Sequence, residues 1–77
     1  MRNNEFEKAL DEIVKELVKT RKAKGISHEK LTELSGLSRT AISYIESRKS
    51  TPSIITCMKL CKALDVKLSD LLKKNTL

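Results

Sequence analysis

Two glycines, one proline, two cysteines, one histidine and no tryptophan are all that this 77-residue chain holds of those residue types. So little glycine and proline excludes a collagen-like repeat or a low-complexity tail, and two thiols do not build a disulfide scaffold. Cys57 and Cys61 stand one helical turn apart within an apolar pattern. A bridge there would close only a short loop, so both are expected to be core thiols. A zinc site needs more ligands than these two and the remote His28 supply, and no metal or cofactor is expected. The chain also lacks a Cys-His or Ser-His-Asp constellation and a glycine-rich phosphate loop, which argues against an enzyme. No apolar run reaches the length of a membrane span, and the start lacks the apolar region of a secretion signal. The expected compartment is the cytoplasm.

The length suits one small domain over residues 1–77 and is too short for two conventional cores. Sixteen basic residues against ten acidic ones give a formal charge of +6, which suits an anionic partner and equally an ordinary solvated surface. Hydrophobic residues make up 39% of the chain and recur with helical rather than strand spacing, so the expected class is all-α.

Phe6, Leu10, Ile13 and Leu17, widened by Ala9, Val14 and Val18, predict a first helix over residues 5–23 that closes at Gly25. Its mixed-charge face reads as solvated, and Phe6 as a core or dimer-packing residue. "ISHEKL" and "LSRTAI" then share one form: a serine cap, Ser27 or Ser38, between apolar residues able to staple the helix start. Two short helices are predicted, over residues 28–35 and 39–47, with Gly36 allowing the tight turn between them. A fourth helix starts with Ser53 as cap, or with Thr51 as cap and Pro52 at the first position. Its apolar face is read as Ile54, Cys57, Met58, Cys61 and Leu64. After a turn at Asp65, a last helix over residues 68–73 offers Leu68, Leu71 and Leu72 to the core or to another chain.

On the third helix, Ala41, Ile42 and Ile45 share the inward face, leaving Arg39, Thr40, Ser43, Tyr44 and Ser47 outside. That set suits the edges of base pairs. Arginine can pair bidentately with guanine, serine and threonine can donate or accept, and tyrosine can pack on a thymine methyl.

With these residues in place, residues 25–72 closely resemble the helix-turn-helix domain of the phage repressor and Cro superfamily, the XRE family. Leu31, Gly36, Leu37, Ser38, Ile42, Ser43, Ile45 and Glu46 fall in the family's order, followed by Pro52, Ser53, Leu64, Val66, Leu68, Leu71 and Leu72. The resemblance implies a five-helix, lambda-repressor-like bundle that binds double-stranded operator DNA, usually as a homodimer, and represses or activates transcription. The chain's size also resembles that of restriction-modification controller proteins.

Carried onto this sequence, the resemblance makes residues 39–47 the recognition helix. Arg39, Thr40, Ser43 and Tyr44 would read bases, with Ser47 reaching an outer base or a phosphate. His28, Ser38 and the basic turn of Arg48, Lys49 and Ser50 would meet phosphates. His28 would also brace Arg39 and strengthen its phosphate contact on protonation below about 6.5, unless it is simply a solvated residue at a helix start. Glu46, which would repel phosphate, is expected to pair with Arg21 in a structural salt bridge.

Three positions depart from the family pattern. Thr32 replaces an alanine, so that the motif helices stand slightly apart or the hydroxyl bonds back to the carbonyl four residues earlier. Arg48 replaces a glycine, so that the left-handed position has moved or carries strain. His28 replaces a glutamine.

A small recognition surface calls for two copies about 34 Å apart over a palindrome. Leu68, Leu72 and Leu77 are candidate dimer residues, with the turns around Phe6 as a second possible surface. The rival reading is a protein-interaction module, such as an antitoxin or adaptor, in which DNA binding is secondary.

Overall fold

The computed structural model describes residues 5–74, which form five helices and no strand: α1 (Glu5–Ala23), α2 (His28–Ser35), α3 (Arg39–Glu46), α4 (Ile54–Leu64) and α5 (Leu68–Lys74). The protein is thus all-α, with α3 ending one residue earlier and α5 one residue later than the sequence pattern places them. Leu77 lies outside the described residues.

Helix ends follow their side chains. Ser27, Ser38 and Ser53 sit in extended conformation, and each hydroxyl accepts a bond from the backbone N–H three residues on, which supplies an otherwise unpaired donor with a partner. Ser53 is therefore the cap of α4. Pro52 precedes that cap and is buried instead. Gly36 ends α2 with φ +78°, and its N–H bonds to the carbonyl of Thr32 at 2.9 Å. A Cβ there would meet nothing within 4 Å, so glycine is favoured by the dihedral angle rather than by crowding.

The core joins Ile13, Val14 and Leu17 of α1 to Leu31 of α2, Ile42 and Ile45 of α3, Leu60, Cys61 and Leu64 of α4, and Leu71 of α5. Helix α4 packs against α1, α2 and α5, so the motif helices rest on a scaffold rather than on each other alone. One apolar expectation is narrowed here and another corrected. Phe6 is 64% exposed, so of its two expected roles it does not fill that of a core residue. On α4 the inward face is Cys57, Leu60, Cys61 and Leu64, and Ile54, Ile55 and Met58 lie exposed. Burial pushes both thiols above their ordinary pKa, with Cys57 adding to the rise at Cys61, so neither is primed as a nucleophile.

The Thr32 hydroxyl is buried and has no hydrogen-bond partner, so it does not bond back along α2. An unpaired buried hydroxyl costs free energy that a methyl of the same shape does not. Thr32→Val is expected to stabilise the fold by about 1 kcal/mol, a rise in melting temperature of roughly 4–8 °C. Calorimetry showing a lower Tm would mean that the hydroxyl is satisfied.

Candidate DNA interface

Helix α3 is anchored by two side chains, Ile42 and Ile45, which are 1% and 4% exposed. Their spacing leaves the opposite face outward, and Arg39, Thr40, Ser43, Tyr44 and Ser47 are all exposed on it or at its end. Among the described residues, the side chains of Arg39, Thr40 and Ser43 have no hydrogen-bond or ion-pair partner, which leaves their donors and acceptors free for a ligand. The hydroxyl of Ser47 instead donates to the Tyr44 carbonyl at 3.3 Å and helps close the helix.

The turn after α3 orders the rest of this edge. The N–H groups of Lys49 and Ser50 both donate to the Tyr44 carbonyl, at 2.8 and 3.2 Å. This folding-back brings the Lys49 ammonium to 5.7 Å from the centre of the Tyr44 ring, within cation–π range. Arg48 holds the left-handed position itself, with φ +64°, where the family pattern has glycine. A non-glycine residue there carries strain, and an ion pair steadies it: Arg48 Nε donates to Asp11 Oδ1 of α1 at 2.6 Å. Its guanidinium faces α1 rather than lying free in the basic turn, which sets it apart from Lys49.

Behind this edge, the Arg21 guanidinium donates to both Glu46 oxygens, at 2.7 and 3.1 Å, and to the Ile26 carbonyl at 2.8 Å. His28 Nε2 lies 2.9 Å from Glu46 Oε1, so the ring faces Glu46 and does not brace Arg39. One carboxylate thereby joins the end of α1, the start of α2 and the end of α3. Burial alone would raise its pKa. Hydrogen bonds from Arg21 and His28, together with their charges, outweigh that effect and hold Glu46 below the ordinary carboxylate value.

Ser38 is committed to capping α3 through the Ala41 N–H at 3.0 Å, and Ser50 is exposed beside Lys49. Two short helices, a glycine turn and an exposed polar face on the second thus form a complete helix-turn-helix. The helix-turn-helix family model matches residues 17–71, most of the chain.

The protein belongs to the Cro/C1-type (XRE) helix-turn-helix family of DNA-binding transcriptional regulators. Among the proteins similar to this XRE domain is the HTH-type transcriptional regulator PuuR of Escherichia coli, 43% identical over 56 residues, covering 73% of this chain and 30% of that protein. A Shigella flexneri protein of the same name matches to the same extent. The uncharacterized HTH-type transcriptional regulator YgzD of Bacillus subtilis is 39% identical over 46 residues, covering 60% of this chain and 70% of its own. The chain therefore spans less than a third of the length of the PuuR proteins.

In this XRE domain, sequence reasoning missed the Asp11–Arg48 and His28–Glu46 pairs. Asp11 and Arg48 lie 37 positions apart, and no local pattern joins them. The signal that was available is Arg48 itself, a residue with a side chain where glycine is usual.

Proposed function

We propose that this protein is a sequence-specific, cytoplasmic transcriptional regulator that forms one domain and binds palindromic operator DNA as a homodimer. The observation that carries this reading is the unpaired set Arg39, Thr40 and Ser43 on a helix whose opposite face is locked into the core. Arg39, Thr40, Ser43 and Tyr44 read base edges in the major groove, and Ser47 contributes at the outer edge. Lys49 and Ser50 meet phosphate, as do the backbone N–H groups at the starts of α2 and α3 beside His28 and Ser38.

A single eight-residue helix reads few base pairs, and a two-fold axis doubles the site. Leu72 is 52% exposed and supplies the α5 part of the dimer surface, whereas Leu68 packs against the core. The exposed Ile54, Ile55 and Met58 of α4 extend the apolar surface available to a second chain. The same three side chains are what favours the second reading, an interaction module with another protein as its main partner.

Selection of bound sites from randomised duplex DNA, followed by sedimentation of the complex, separates the two. A symmetric motif carrying two protomers is the expected result. Failure to enrich any sequence would overturn the regulator reading, and one protomer per site would overturn the dimer.

A further inference from the structure

Residues 14–24 hold five basic residues and one acidic residue, much of the chain's excess positive charge. Lys15, Lys19 and Lys22 fall at helical spacings of four and three, so they follow one face of α1. They rim an open groove of about 560 Å³, floored by Val14 and Val18, whose other wall is Glu46 and Arg48 at the exit of α3. The carboxylates beside this groove are already matched. Arg21 and His28 hold Glu46, and Arg48 holds Asp11. Lys15 has a weak partner in Glu12 at 3.5 Å, whereas Lys19 and Lys22 have no partner among the described residues. Two exposed cations therefore remain uncompensated next to the turn that presents Lys49 and Ser50.

We propose that Lys19 and Lys22, with Lys15 beside them, form a second phosphate-binding track that grips DNA flanking the sequence read by α3. This inference rests on the DNA-binding reading above. A helix lying in the major groove has a phosphate wall at each end, so cations rimming the exit of α3 face the backbone that continues past the half-site. Lys15 to Lys22 spans about 10 Å along the helix axis, the axial length of roughly three phosphates of one strand. The groove is too open to enclose a small anion, and its floor offers no fixed donor to orient one. A polyanion needs neither feature, since it gains from counterion release.

The test uses the full chain and the operator recovered by selection, prepared with flanks of about 8 base pairs on each side and with the flanks removed. For the wild type, the slope of log affinity against log salt is expected to be steeper on the extended duplex by about 1.8 per protomer, the contribution of two phosphates. Lys19→Gln/Lys22→Gln is expected to lose that increment and to bind the extended duplex about tenfold more weakly, with unchanged base preference and little change on the trimmed duplex. Lys19→Arg/Lys22→Arg is expected to restore it. Equal wild-type slopes on the two duplexes would overturn the track, whatever the variants do. Wild-type protein that binds no duplex at all would overturn the DNA-binding reading instead.

Discussion

Glu46→Ala is expected to lower the unfolding free energy by about 2–4 kcal/mol, because it removes the acceptor shared by three helices. The side chains of Arg21 and Glu46 are only 11% and 18% exposed, so the abandoned guanidinium is poorly hydrated and retains just its bond to the Ile26 carbonyl. For a domain of this size the loss corresponds to a fall in Tm of roughly 10–30 °C. The effect carries its own pH signature. The folded-state pKa of Glu46 is depressed, so its contribution is complete above the ordinary carboxylate pKa of about 4.3 and is lost as pH falls through the lower folded value. Denaturation of wild type and variant from about pH 7 to pH 3 should show their difference shrinking toward the acid end. A difference that stays constant would remove the carboxylate's charge from the explanation. Base preference should change less than stability, and the reverse ranking would assign Glu46 to recognition.

Arg39→Ala is expected to weaken binding to the selected operator by roughly 1–3 kcal/mol while affecting random duplex less. The basis is local: Arg39 is the first residue of α3, exposed, and unpaired in the free protein. Binding therefore breaks no existing contact, and the whole guanidinium fork is available to a base edge. Anisotropy titrations on both duplexes decide the matter. Equal losses would move Arg39 from base reading to the phosphate backbone.

These two residues show what a sequence discloses and what it withholds. The helix-turn-helix was legible because its signals are local: Ser27, Gly36 and Ser38 act within three or four residues of themselves, and Ile42 and Ile45 define the inward face of a short helix. On α4 the same periodicity misled. Ile54, Ile55, Cys57, Met58, Leu60 and Cys61 are apolar on several sides, so a stripe through Ile54 and Met58 satisfies helical spacing as well as the buried one through Cys57, Leu60 and Leu64. The positions of α1, α2 and α5 decide which stripe is covered. Of the ion pairs, Arg21–Glu46 was expected through the family resemblance, whereas Asp11–Arg48 was not. Asp11 reads by itself as a solvated charge and Arg48 as a phosphate contact, so nothing local joins them.

The eight-residue length of α2 and α3 has a thermodynamic consequence. Helices shorter than about 12–15 residues are marginal in water, so neither element holds its shape outside the fold. The outward face of α3 proposed to meet DNA is then a property of the folded ensemble and absent from the denatured one. On the proposed reading, DNA in excess draws the folding equilibrium toward the native state by mass action, and the buried residues under α3 act on binding through the folded population. Leu31 and Leu64, which are among the most deeply buried residues and lie off the proposed reading face, would on that reading contribute to recognition through stability alone.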